Sequence, residues 1–160
     1  MADEDDELPQ EETPEPRLFT LTEAERTRRE LEPVLIEAMD CRRKLSGLDT
    51  ELAAVAARIM MMGGILVDRD RALASRTRRD ETASRLRNCI EAVLETGCLV
   101  KDLDIGLIDF LAQYQGRDVY LCWKLGEERI AWWHGIEEGF RGRKPIDEEF
   151  LKGNASETPN

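Results

Sequence analysis

Apolar residues recur at alternating steps of three and four along the first structured part of the chain, from Ala24 to Met62. A period of 3.5 residues held over this length is typical of a coiled-coil seam rather than of a short surface helix. At a rise of 1.5 Å per residue, such a helix would be about 60 Å long. Pro33 lies inside the run, where its ring would kink or break a helix. The seam consists of Ala24, Thr27, Leu31, Val34, Ala38, Cys41, Leu45, Leu48, Leu52, Val55, Ile59 and Met62.

Local signals set the ends of this helix. Thr22 and Glu25 have the T-x-x-E spacing of a capping box, in which the two side chains satisfy free backbone amides at a helix start. Gly63 and Gly64 follow the seam, and glycine readily takes the left-handed conformation that ends a helix. We therefore predict the first helix over about residues 22–62.

A second helix is predicted over about residues 67–96, because Asp68 can cap its start and Gly97 can end it. Its first half is polar, with Leu73 and small alanines as the apolar residues. The first helix of the hairpin thus has more apolar seam than the second can cover. An uncovered seam favours a second copy of the chain, so we expect a homodimer built as a four-helix bundle. The later part of the second helix continues the three-four spacing with Ala83, Leu86, Ile90 and Val93.

After Gly97 the helical period disappears, and three stretches rich in β-branched and aromatic residues follow, separated by turns at Gly116 and Gly126. This pattern predicts a three-stranded antiparallel meander over about residues 105–136, followed by a loop over 137–151. The fold class is therefore α+β, a long antiparallel helical hairpin followed by a small sheet. An even-length turn at Gly126 would put Val119, Leu121, Trp123, Leu125, Ile130, Trp132 and His134 on one face, and Tyr120, Cys122, Ala131 and Trp133 on the other.

Charge separates the ends of the chain from its body. Of the 34 acids that give the net charge of −11, eight lie within residues 1–16, which contain no base. Without them, 23 bases face 26 acids. Such acidic, proline-bearing composition is typical of disorder, so we expect disordered tails over 1–16 and 152–160 around one folded domain at 17–151. The acidic segment could keep the protein soluble or could mask a basic surface.

The sequence excludes several classes of protein. It contains neither a signal peptide nor an apolar run long enough to span a membrane, so we expect a cytoplasmic protein. The four cysteines have no metal-binding spacing and are expected to be free buried thiols, and no nucleotide-binding or hydrolase motif occurs. The arginines of the second helix could bind phosphate, or could pair with interleaved acids on a solvated face; with no aromatic side chain nearby to stack on bases, nucleic acid is an unlikely partner.

Residues 120–146 contain all three tryptophans and the single histidine. Tryptophans at strand spacing favour core packing over a ligand cleft. His134, at a strand end, is either a hydrogen-bonded residue at the edge of the core or a general base. The Gly139–Gly142 loop, with Arg141 and Arg143, could hold an anion or could clamp carboxylates of the partner subunit.

Three carboxylates precede or lie within the first predicted strand. Asp102, Asp104 and Asp109 could approach His134 and form an oxygen-plus-nitrogen metal site, although their spacing matches no established metal motif. The preferred interpretation is that they serve as solubilising or capping groups at a strand edge.

Three stretches of the sequence resemble the bacterial family called domain of unknown function 2203. They are "FTLTEAERTRRELEPVL", "VKDLDIGLIDF" and "GRDVYLCWKLGEERIAWWHGIEEGFRGRKPI", and the resemblance covers roughly residues 18 to 146. It implies a small stand-alone protein of helical hairpin plus sheet, with no assigned activity, and it raises the prospect of a binding cleft. The recurrent pattern of the family falls on Asp102, Asp104, Gly106, Asp109, Phe110, Gly116, Arg117, Tyr120, Leu121, Cys122, Trp123, Gly126, Trp133, His134, Gly139, Phe140, Gly142, Arg143, Pro145 and Ile146.

The sequence therefore supports two alternative functions. The first is a noncatalytic homodimeric coiled-coil module for interaction or scaffolding, with a protein partner, no cofactor and no metal. The alternative is a small-ligand- or metal-binding protein or enzyme with a site around His134, Asp102, Asp109 and Arg143, joined by Cys122 if that thiol is exposed. The full set of candidate ligand-binding residues is Asp102, Asp104, Asp109, Cys122, His134, Arg141 and Arg143.

Overall fold

A long helical hairpin precedes a five-stranded antiparallel sheet in this computed structural model, which describes residues 16–63 and 68–154. The α+β class and the hairpin are as predicted from the sequence, whereas the predicted number of three strands was wrong. The acidic segment 1–15 and residues 155–160 lie outside the described ranges. The elements are α1 Leu21–Met61, α2 Arg69–Glu95, β1 Leu99–Asp102, β2 Leu107–Tyr114, β3 Arg117–Lys124, β4 Trp132–Gly135, a 3-10 turn Phe140–Gly142, β5 Lys144–Pro145 and α3 Glu148–Asn154.

The caps of the hairpin helices agree with the sequence signals except at the first helix start. Thr20, not Thr22, is the N-cap of α1, and its side chain accepts a hydrogen bond from Glu23 N at 3.2 Å. The predicted cap was wrong because the chain offers threonine at both positions, and α1 begins two residues earlier than the capping-box spacing indicated. Asp68 caps α2 as predicted, accepting from Arg71 N at 3.2 Å.

The two helices bury only the half of the hairpin next to the sheet. No residue of 42–61 in α1 or of 69–88 in α2 is buried, and we call these two segments the arm. The helix α1 continues through Pro33 without the break that was considered from the sequence. A groove of about 580 Å³ lies between the helices near the free end of the arm. The buried residues of α1 are Ala24, Thr27, Arg28, Leu31, Leu35, Ala38 and Cys41.

The sheet is a meander in the order β1-β2-β3-β4-β5. The two strands that the sequence did not reveal are its short edges. The edge strand β1 has four residues and shows no alternation of buried and exposed positions. The other edge strand, β5, is the pair Lys144–Pro145, and proline is tolerated at an edge because no ladder hydrogen bond is needed there. The expected loop over 137–151 therefore contains a 3-10 turn, an edge strand and the start of α3.

Register decides which side chains share a face, and the predicted faces were wrong by one residue. Tyr120 lies opposite His134, and Cys122 lies opposite Trp132. The connection between β3 and β4 spans residues 125–131, an odd number of residues, whereas an even turn was expected. A shift of one residue moves every side chain of a strand to the other face. His134 and Trp132 therefore lie on the same face as Tyr120 and Cys122.

The opposite face of the sheet packs against the helices and forms the core. Phe19 contacts Phe110 edge to face, with ring centroids 5.2 Å apart, and Phe19 N donates to Leu111 O at 2.7 Å. Trp123 is fully buried, which agrees with the expectation that the tryptophans pack. Helix α3 covers the far end of this face, where Phe150 stacks on Tyr114 at 4.8 Å. The other face of the sheet, which points away from the helices, carries a cluster of polar side chains.

Candidate functional site

Three polar side chains are buried together on the sheet face that points away from the helices. Asp109 in β2 lies directly opposite Cys122 in β3, and His134 comes from β4. Their exposed fractions are 1%, 0% and 3%. One ligand-type atom from each lies within 4.8 Å of the other two. We call these three residues the polar cluster.

The histidine ring is held at both nitrogens. His134 Nδ1 lies 2.8 Å from Gly135 O, and Nε2 lies 3.0 Å from Asp109 Oδ2. Because a carbonyl oxygen only accepts, Nδ1 carries a proton and donates it to Gly135 O. A further proton must then lie between Nε2 and Oδ2, on one atom or the other, since two bare acceptors would repel at this distance.

Asp109 has one carboxylate oxygen that accepts no hydrogen bond of ordinary distance and angle from the described residues, although the Cys122 thiol lies beside the carboxylate. Its Oδ1 is buried and has no hydrogen-bond partner among the described residues. Burial raises the pKa of the Asp109 carboxyl, and the neighbouring His134 and Cys122 offset part of that rise. An orphaned buried oxygen costs about 1–3 kcal/mol, so its retention calls for an explanation.

Cys122 is a thiol rather than a thiolate in this environment. Burial, together with the negative charge of Asp109, raises the pKa of Cys122 to about 12. From the sequence, Cys122 was included in the candidate site only if its thiol was exposed, whereas the structure shows it fully buried. A buried thiol of this kind is a poor nucleophile in solution, since the thiolate is the reactive form. Cys122 is therefore a candidate ligand of the cluster and not a candidate nucleophile.

Arg143 lies over one side of the polar cluster. Its guanidinium stacks on Trp132, the cross-strand neighbour of Cys122, at 5.1 Å from the ring centroid, and on Phe140 at 4.8 Å. Glu127 holds the same group through two hydrogen bonds to Arg143 Nη2, of 2.7 and 2.8 Å. The sequence suggested a clamp for carboxylates of a partner subunit, whereas Arg143 holds a carboxylate of its own chain. Sequence reasoning missed Glu127, because it lies sixteen positions before Arg143 with no pattern linking them.

The segment after His134 is tied down by a second carboxylate. Glu138 Oε2 accepts from Gly135 N at 3.1 Å, and Lys144 Nζ donates to both carboxylate oxygens at 3.0 and 3.1 Å. These hydrogen bonds lower the pKa of Glu138, with that from Lys144 contributing most. Glu138 fixes the turn that carries Gly135 O, the acceptor for His134 Nδ1.

The other candidate residues do not join the cluster. Asp104 pairs with Arg42 of α1 at 2.8 Å, and Asp102 Oδ1 accepts from Asp104 N at 2.9 Å in a local turn. Arg141 is exposed on the 3-10 turn. The structure thus brings together Asp109, Cys122 and His134, with Arg143 beside them, and leaves Asp102, Asp104 and Arg141 outside.

The fold and the cluster define an α+β protein with a buried polar site on the outer face of its sheet. The chain belongs to the family described as "Uncharacterized conserved protein (DUF2203)", whose model matches residues 17–146. No curated protein and no solved structure shows significant similarity to the chain. Within the described ranges, no helix has both the length and the apolar character needed to cross a membrane.

Proposed function

We propose that the protein binds a divalent transition metal ion, zinc or a close relative, through Asp109, Cys122 and His134. The observation that carries this proposal is the orphaned Asp109 Oδ1, buried beside a thiol and an imidazole. Oxygen, sulfur and nitrogen from these three side-chain types are the ligands that zinc takes in proteins. A metal ion would satisfy the oxygen that the described residues leave without a partner.

The orientation of His134 supports the proposal independently. A histidine that ligates a metal usually donates its other ring N–H to a carboxylate or a backbone carbonyl, which fixes the ring. His134 Nδ1 donates to Gly135 O at 2.8 Å, so Nε2 already faces the remaining cluster atoms. Glu138 N donates to the same carbonyl at 3.1 Å and helps to keep it in place.

The charges of the cluster also suit a divalent cation. In the metal-free cluster, Cys122 carries its thiol proton, and one proton lies between Asp109 and His134. A divalent ion would replace these two protons and leave the net charge of the buried site unchanged. The positive charge of Arg143 nearby is already balanced by the paired hydrogen bonds to Glu127.

The ligand atoms of the cluster would have to move slightly closer together to bind a metal ion. At zinc bond lengths of about 2.0–2.3 Å, two ligands of a tetrahedral site lie about 3.5 Å apart. The cluster atoms all lie within 4.8 Å of one another, so the widest pair must close by about 1.3 Å or less. All three residues are at most 3% exposed, so a bound ion would be shielded from solvent, and its fourth tetrahedral position would be left for a water molecule or a further ligand.

Cobalt(II) is a direct probe, because its absorption reports both a bound thiolate and the coordination geometry. We expect the purified protein, stripped of metal and titrated with cobalt(II), to bind one equivalent and to show the thiolate charge-transfer band. Asp109→Asn should weaken binding at least tenfold while leaving the fold intact, since its amide can donate to His134 Nε2. Asp118→Asn, an exposed change on β3, is the matched control.

Equal binding by the two asparagine variants would refute the metal proposal. So would binding without the charge-transfer band, because Cys122 would then not be a ligand. In either case the cluster would be a hydrogen-bond network that joins three strands.

We also infer a second function, as a noncatalytic homodimeric module that pairs through the arm, because the forty arm residues include none that is buried. Leu52, Val55 and Ile59 line one side of the arm groove, and Val55 is 38% exposed. A two-helix arm that buries nothing gains little stability from its own packing. A second copy of the chain would cover this stripe, and in such a module the metal would hold the sheet rather than perform chemistry.

Sedimentation analysis tests the dimer separately. We expect a dimer for the intact protein and a monomer for the double variant Val55→Asp, Ile59→Asp, with the same cobalt binding in both. Ile136→Asp, a change at a 48% exposed residue of the sheet end, is the control and should stay dimeric. A monomeric intact protein would contradict the dimer without bearing on the metal.

A further inference from the structure

The arm is strongly basic although the whole protein is acidic. Residues 42–61 and 69–88 contain eleven bases and five acids, a net charge of +6, whereas the full chain carries −11. Residues 1–15 contain eight acids and no base. The two segments therefore have charges of opposite sign and similar size.

One side of α2 presents arginines that the rest of the described chain does not neutralise. Arg69, Arg76 and Arg87 are spaced by seven and eleven residues, two and three helical turns, so they lie along one line of the helix. All three are exposed, and none forms an ion pair with another described residue. On other sides of α2, Arg79 pairs with Asp49 at 2.5 Å and Arg85 pairs with Glu37 at 2.6 Å, whereas Arg71 and Arg78 also form no ion pair with a described residue. We call Arg69, Arg76 and Arg87 the arginine line.

The acidic segment begins within reach of this line. Arg17 Nη1 donates to Thr96 O at 3.1 Å, which places the start of the described chain at the sheet end of α2. From Thr96, Arg87 lies about 14 Å and Arg69 about 40 Å along the helix axis. A stretch of 15 residues spans at most about 50 Å. The acidic segment can therefore reach every residue of the line.

We propose that residues 1–15 bind along the arginine line of the same chain and mask it. Since the segment is covalently attached next to α2, its effective concentration there is in the millimolar range, so weak charge pairing is enough to populate the contact. The arm groove has a different lining on α2, namely Asp68, Arg71, Ala72 and Ser75, so masking leaves the proposed dimer surface free.

The observations favour this occupant over nucleic acid. The arm contains no Phe, Trp or Tyr on which bases could stack, and an attached acidic segment would compete with any phosphate chain for the same arginines. The contact is exposed, so it must weaken as salt shortens the screening length to about 3–4 Å near 1 M.

Amide NMR spectra of the full-length protein test the contact. The tail variant replaces each of the eight acids by its amide, Asp→Asn and Glu→Gln, and so keeps the length. We expect its spectrum to differ from that of the native chain around Arg69, Arg76 and Arg87 at low salt, and the differences to disappear near 1 M salt. In a chain with all three arginines of the line changed to glutamine, the tail substitutions should no longer shift these amides.

A matched variant removes three exposed charges elsewhere, through Arg117→Gln, Arg129→Gln and Arg141→Gln, and should keep the tail-dependent shifts. Differences confined to residues 16–20 would overturn the proposal. Shifts that grow with protein concentration would also overturn it, because they would indicate binding between molecules. Tail-dependent shifts that survive high salt would do the same, since charge pairing would not explain them.

Discussion

Glycines at two positions of this protein meet very different surroundings. Gly106 has a φ of +67°, and a Cβ there would lie 2.7 Å from Leu125 Cβ and 3.1 Å from Met39 Sδ. Leu125 N also donates to Gly106 O at 3.0 Å, so the two backbones cannot easily separate. Gly47 lies within α1 and has nothing within 4 Å of the added atom.

Alanine at these two glycines should therefore have opposite effects. We expect Gly106→Ala to lower the free energy of unfolding by about 1–3 kcal/mol, through strain and a steric clash. Gly47→Ala should raise it by about 0.5–1 kcal/mol, because glycine in a helix interior costs that much relative to alanine. Urea denaturation measures both. An unchanged free energy for Gly47→Ala would show that the arm does not unfold with the cooperative unit, and a loss would contradict the predicted gain.

Protonation of Cys122 and Asp109 should also determine how metal binding depends on pH. Cys122 and Asp109 both have pKa values raised by burial, so both resist ionisation while the site holds no metal. Metal binding must displace their protons, and lower pH should weaken it. Metal affinity should fall as the pH is lowered because protons compete with the metal ion for the same ligand atoms.

Arg143 connects the element after β4 to the loop before it. Its planar group forms two hydrogen bonds with Glu127 and contacts the rings of Trp132 and Phe140. Lysine keeps the charge and one donating nitrogen but cannot reproduce the flat stacking on the two rings. Hence we expect Arg143→Lys to speed hydrogen exchange of the Gly142 amide, which donates to Gly139 O, by about tenfold.

The control for this prediction is Arg141→Lys, a change at an exposed arginine on the same 3-10 turn. It should leave exchange at Gly142 within about twofold of the native rate, because surface substitutions of this kind have small effects. Equal acceleration by both changes would mean that the turn is held by net charge and not by the Glu127 clamp.

The helices could be predicted from sequence, and the reason is local. The three-four spacing, Asp68 and Gly97 act within a few residues, and α2 begins and ends within two residues of the prediction. The edge strands could not be predicted, since a pair such as Lys144–Pro145 becomes a strand only by lying beside β4. Thr20 and Thr22 compete for one cap, and only packing of the preceding Phe19 on Phe110 distinguishes them.

The polar cluster depends on distant parts of the chain. Asp109, Cys122 and His134 are thirteen and twelve positions apart, and no established ligand motif has that spacing. Gln115 and Gly116, with φ values of 51° and +73°, form the two-residue turn that sets Asp109 against Cys122. That half of the site could have been derived from the sequence. His134 could not, because the odd length of the 125–131 connection was not visible in its residue pattern.

At the scale of the whole molecule, the buried polar cluster and the basic arm lie in different parts of the fold. The sheet carries the buried cluster on its outer face, and the helices extend away from the opposite face as an arm with a net charge of +6. Metal binding at the cluster would explain buried polar groups that sheet packing does not require.

Zinc binding by the cluster can be tested by native mass spectrometry of the intact protein, loaded with zinc and freed of excess metal. We expect each chain to gain the mass of one zinc ion less that of two protons, and Asp109→Asn to lose the metal while Asp118→Asn keeps it. A chain that remains metal-free, or retention of zinc by Asp109→Asn to the same extent, would contradict the account.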